Sequence, residues 1–229
     1  SFLFFQLLFD FFTDNGLQTC HHIRVDENGE NADELIGAAL CNAEDDIILV
    51  SKLGMSLKFQ ADDEQLRPMG RQTAGVQGMK FRNDDSLLAM DVVPGDSDKD
   101  LFVVTNEGFA KRTAISEYRL QGRNGLGIKA VQLVEGRGAL VGALVVSEDD
   151  QVMAIMKSGK VIRSNVDEVK RTGRNTQGVT FAKPDKGDTI LSIARNEEKD
   201  EPEDGGDAAA NGTAETAQSG ENVNNADEA

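Results

Sequence analysis

The side chains with the most evident chemical use in this chain of 229 residues are six cations that recur at fixed places. Lys58, Arg112 and Arg163 each stand four residues after a glycine, Gly54, Gly108 and Gly159 in turn. Arg71, Arg123 and Arg174 each sit in a Gly-Arg-x-x-x-Gly string, GRQTAG, GRNGLG and GRNTQG, and are separated by 52 and 51 residues. Evenly spaced cations of this kind are poorly suited to acid–base or nucleophilic work. They suit neutralisation of a polyanion, where each phosphate contact releases condensed counterions and no base need be read. Lys111, Lys170 and Arg171 flank the same places and would extend the row. The competing structural reading is that these cations pair with nearby carboxylates on a solvated rim.

Other chemistry finds little support in the residue pattern. There is no Gly-x-x-x-x-Gly-Lys-Ser/Thr phosphate loop, the two histidines (His21 and His22) lie together in an irregular leader, and Tyr118 has no catalytic signature around it. The pairs Asp45-Asp46, Asp84-Asp85 and Asp149-Asp150 read as polar turns between strands. Cys20 and Cys41 make no Cys-x-x-Cys motif, so they are expected as free thiols of a reducing cytosol, with no metal and no cofactor. The opening SFLFFQLLFDFF is shorter than the ~20 residues that span a bilayer, so no membrane association is expected. A start at serine suggests a fragment.

The elements that position the cations follow from the repeat. Each unit begins with an apolar run before the glycine (IILVSKLG, LFVVTNEG, VMAIMKSG) and continues into a strand carrying the first cation. After the Gly-Arg string come a third run (VQGMKF, IKAVQL, VTFAKP) and a fourth (LLAMDVV, LVGALVV, ILSIARN). Four short strands every ~50 residues make an all-β chain of propeller-like blades. The run LIGAALC at 35–41 is expected to supply one more strand. The predicted organisation is an irregular or truncated leader at 1–32, three blades and part of a fourth at 33–196 in an incomplete ring, and a disordered acidic tail at 197–229.

Net charge supports that division. The chain totals −16, but residues 1–49 hold 10 acidic against 1 basic residue and residues 197–229 hold 11 against 1. The middle, 50–196, holds 19 acidic and 22 basic residues, so the centre is mildly cationic. The tail is expected to compete with a polyanion for the cationic rim, or else simply to keep the chain soluble.

The segments LRPMGRQTAGVQGMKF, GFAKRTAISEY and GDTILSIARNEE, with the three Gly-Arg strings, resemble the C-terminal domain of the DNA gyrase A subunit in its actinobacterial form. The resemblance implies a β-pinwheel, a propeller relative whose blades exchange strands and whose rim wraps double-stranded DNA. It implies partners in gyrase B and in the rest of the gyrase A subunit, with a place in the cytoplasm at the nucleoid. It also implies a part in ATP-dependent negative supercoiling by the whole type II topoisomerase, with catalytic groups elsewhere. The family's Gln-Arg-Arg-Gly-Gly-Lys-Gly box is missing. Its echo QGRNGLG at 121–127 has Leu126 where the family has Lys, which predicts a weaker grip there. The equivalent domain of topoisomerase IV and a protein-interaction propeller are the alternative readings.

Overall fold

The computed structural model describes residues 36–69, 75–95 and 97–196, and the backbone of two short strands, β1 (Leu8–Phe12) and β2 (Gly16–Cys20). Those two strands pair antiparallel. Residues 70–74 of the first Gly-Arg string, Arg71 among them, the rest of the leader and the tail lie outside the described residues.

What dominates the chain is a hairpin used three times. β3 (Asp46–Ser51) pairs with β4 (Met55–Gln60), β6 (Asp100–Thr105) with β7 (Phe109–Ala114), and β10 (Gln151–Met156) with β11 (Val161–Asn165). Each turn closes with a hydrogen bond of 3.0 Å from the glycine N–H to the carbonyl three residues earlier. On the other side of each first strand lies the unit's last run, β5 (Leu87–Val93), β9 (Leu140–Val146) and β13 (Ile190–Asn196). β9 packs against both β5 and β13.

The fourth strand of each of the first two sheets comes from the unit that follows. β8 (Ile128–Lys129), which follows the second Gly-Arg string, pairs with β4 of the first sheet, giving the order β5-β3-β4-β8. β12 (Val179–Thr180), after the third string, pairs with β7 of the second sheet, giving β9-β6-β7-β12. The second and third units thus each hand their third strand back to the sheet before, the exchange that the resemblance implied. The third sheet has the order β13-β10-β11, and among the described residues β11 pairs only with β10.

Strand sequence reflects how many faces are covered. Ile47 and Leu49 of β3 turn to a cluster with Cys41, Leu57, Phe59 and Leu66, while Ile48 and Val50 turn to one shared with Leu101, Val103, Ala143 and Val145 of the second sheet. Both faces are dry, so the run is apolar without alternation. β6 behaves alike, with Phe102 and Val104 turned to the cluster of the third sheet. In β10 only Val152, Ala154 and Met156 are buried, and Met153 and Ile155 on the other face are half-exposed. Each enclosed Val, Leu, Ile or Phe contributes about 1.5–3 kcal/mol.

Two sequence expectations are corrected. VQGMKF forms no strand, only an isolated bridge between Met79 and Gly125. Residues 36–41 form none either: the described part of LIGAALC packs Ile36 and Cys41 onto the first sheet's cluster as irregular chain. Burial is satisfied in both segments without a ladder, which an apolar run alone does not reveal.

Candidate nucleic-acid interface

The cations of the hairpins were expected to point outward, and in the first two sheets they do not. Lys58 on β4 holds Asp46 at 3.0 Å with its side chain about a tenth exposed. Arg112 on β7 is 5% exposed and lies between Asp100, 3.4 Å from Nε, and Glu148, 3.1 Å from Nη2. The cause is the chain that crosses them. Gln121 donates its backbone N–H to the Lys58 carbonyl, and Thr172 donates to that of Arg112, both at 2.8 Å. The next unit's loop therefore lies along the strand and covers it. In the third hairpin Gln151 replaces the acid found at Asp46 and Asp100, no such loop lies along β11 among the described residues, and Arg163 is exposed.

Asp100 is the most enclosed carboxylate of this set. Burial raises its pKa, opposed by Arg171, whose Nε stands 2.9 Å away, and by Arg112. Arg171 also reaches Asp98 at 3.3 Å and keeps part of its surface in solvent.

Arg123 and Arg174 act as seams between units. The Arg123 backbone N–H donates to Gln65 Oε1 (3.0 Å) and its guanidinium to the Gln77 carbonyl (2.9 Å). The Arg174 backbone N–H donates to Glu117 Oε2 (3.0 Å) and its guanidinium to the Lys129 carbonyl (3.2 Å). Gln65 and Glu117 hold equivalent places, as do Gln77 and Lys129. Burial, then the nearby Arg67, lowers the Arg123 pKa. The loops are also joined in series: Lys80 donates to the Gly125 carbonyl, Asn124 to that of Gly78, and Gln132 to that of Thr176. Both residues remain half-exposed, so each ties a joint and still presents part of its surface to solvent.

Lys111 is a further correction. It is 2% exposed, and its Nζ donates to the carbonyls of Ala130 (2.6 Å) and Arg174. Burial brings its pKa down to about 8, with Glu117 opposing and Arg174 adding to the shift.

The exposed cations form a different row from the expected one. Lys170 is in it, and so are Arg67 and Arg119, which the sequence reading passed over. Each stands four residues before the Arg of a Gly-Arg string, so these three repeat with the same 52 and 51 spacing. Each directly follows a buried residue, Leu66, Tyr118 or Val169, that plugs the core and turns its neighbour to solvent. The signal was present, masked by the change from Arg to Lys. Arg137 was also missed because no other unit carries it; its guanidinium lies 4.7 Å from the Phe109 ring centre and donates to the Gly178 carbonyl at 2.7 Å.

Among the described residues no three His, Cys, Asp or Glu side chains are grouped to hold a metal ion, and no helix is long and apolar enough to cross a membrane. Burial raises the pKa of the Cys41 thiol to about 11, followed in effect by Asp45.

The comparisons agree with this geometry. The family model described as "DNA gyrase C-terminal domain, beta-propeller" matches residues 45–94, 99–147 and 150–197, one match per sheet. The chain is 51% identical over 198 residues to the DNA gyrase A subunit of Streptomyces coelicolor, covering 86% of this chain and 23% of that one. To the DNA gyrase A subunit of Mycolicibacterium smegmatis it is 48% identical over 194 residues, covering 85% and 22%. The chain thus spans less than a quarter of these relatives. A solved DNA gyrase A C-terminal domain superposes with a TM-score of 0.60 at 27% identity, covering 66% of this chain and 50% of that one. The C-terminal domain of DNA topoisomerase IV superposes at 0.61 with 18% identity, covering 67% and 47%, a likeness of fold.

Proposed function

Since the chain belongs to the DNA gyrase C-terminal domain family, we propose that its cationic loops bind and bend double-stranded DNA within a gyrase A subunit, serving ATP-dependent negative supercoiling by the whole enzyme. The observation that carries this reading is the exposed cation repeated once per unit, Arg67, Arg119 and Lys170, beside Gly-Arg loops joined in series. A row of that kind offers one phosphate contact per blade and demands no sequence. Arg163, Lys170, Arg171 and the half-exposed Arg123 and Arg174 keep their place in the interface, and Arg71 is placed there by its repeat alone. Lys58, Lys111 and Arg112 are assigned to structure, where they hold Asp46, two carbonyls and Asp100.

In this reading the segment supplies no catalytic group and needs no cofactor of its own. DNA cleavage and ATP hydrolysis belong to other parts of the enzyme, gyrase B included, in the cytoplasm. The gyrase reading is preferred to topoisomerase IV because it rests on 51% identity rather than 18%.

The test is a titration of linear DNA between 50 and 200 mM salt with Arg67→Gln, Arg119→Gln and Lys170→Gln combined. With about 0.9 counterions released per phosphate contact, the slope of log affinity on log salt should flatten by about 2 to 3. Equal affinity and slope in the triple variant and the parent would remove this row from the interface.

A further inference from the structure

Arg174 is gripped at both ends of its own backbone. Its N–H donates to Glu117 Oε2 at 3.0 Å, and its carbonyl accepts from the buried ammonium of Lys111, which also holds the Ala130 carbonyl. Both gripping residues belong to the preceding unit, Lys111 on β7 and Glu117 in the 3₁₀ turn after it, whereas Arg174 belongs to the next. The joint between the first two sheets has half of this device: Gln65 accepts from the Arg123 N–H, but the place of Lys111 is taken by Leu57, fully buried against Gly125.

We infer that Glu117 and Lys111 are positioning residues for the DNA contact, so that an exposed carboxylate on a DNA-facing edge strengthens DNA binding by fixing Arg174 and the Lys170-to-Gly178 loop. This rests on the DNA-binding reading above and adds to it a role for two residues that touch no phosphate. An acid beside a polyanion would otherwise weaken binding through like charge. Glu117 is solvent-exposed, so changing it leaves the core intact.

The charge and the clamp predict opposite signs, which makes the test decisive. DNA dissociation constants are measured on the full chain at pH 7 for the parent, Glu117→Ala and Glu117→Gln, with amide hydrogen exchange across 170–178. Glutamine already accepts the equivalent bond at Gln65, so Glu117→Gln keeps the clamp and loses the repulsion. It should bind as tightly as the parent or tighter. Glu117→Ala releases the Arg174 N–H and should bind about 3- to 10-fold more weakly, the worth of one hydrogen bond, with faster exchange confined to the loop. Lys111→Met should weaken binding similarly at an unchanged salt slope; a slope lower by about one contact would make Lys111 a phosphate ligand and overturn its assignment. If Lys111→Met does not fold, the Glu117 pair decides alone. Equal tightening in Glu117→Ala and Glu117→Gln, or parental affinity in Glu117→Ala, overturns the inference. Failure of the parent chain to bind DNA in a salt-dependent way would instead overturn the DNA-binding reading.

Discussion

At the scale of single residues, the sequence showed which positions are basic but not which basic positions reach solvent. Lys111 and Arg112 lie next to each other on β7, and both are enclosed because the following unit's loop runs along their strand. Alignment of the units carries a hint, since Leu57 and Ile162 hold the place of Lys111 and mark it as inward-facing. The burial has a measurable sign. A lysine with a pKa near 8 in the fold and near ~10.4 when unfolded binds fewer protons in the native chain between those values. Stability must therefore rise with pH across that window, and the penalty is fully present below pH 8. Urea midpoints at pH 7.5 and 9.5 should show the parent gaining about 1–2 kcal/mol relative to Lys111→Met, in which Cys41 and Tyr118 titrate alike and cancel. Parallel pH profiles of the two proteins would show that the ammonium is hydrated in solution.

At the scale of elements, the hairpins and the fourth runs were legible because dry strands are apolar and turns need glycine. The partner of each third strand was not, because IKAVQL and VTFAKP look the same whichever sheet receives them. What decides the matter is a close approach. A Cβ on Gly127 (φ +71°) would stand 2.2 Å from the Ser56 carbonyl oxygen, so only glycine lets the string's end lie against β4. Gly136 has a similar φ of +81° but nothing within 4 Å of such a Cβ. Gly136→Ala should then cost about 1–2 kcal/mol, the left-handed penalty alone. Gly127→Ala should cost about 3 kcal/mol or more because backbone must move as well. Urea denaturation of the two variants checks the ordering, and equal costs would mean that β8 is not seated on β4 as described.

At the scale of the whole molecule, strand exchange makes the sheets interdependent. The second sheet needs β12 from the third unit, and Phe102, Val104 and Val146 need the cover of Val152, Ala154 and Ile190. Residues 36–196 should unfold in one transition, and a chain ended after Ser147 should melt well below the parent, having lost a fourth strand and one side of a core. Two separate transitions in calorimetry of the parent would contradict this. The same handing-back of strands sets an order in time. The end of β4 at Gln60 and the start of β8 at Ile128 are 68 residues apart. At about 5–20 residues per second, a ribosome therefore takes roughly 3–14 s to deliver the strand that finishes a sheet already begun. During that interval the nascent chain carries an unfinished edge, so slowing translation within residues 61–127 should prolong its exposure to chaperones and proteases.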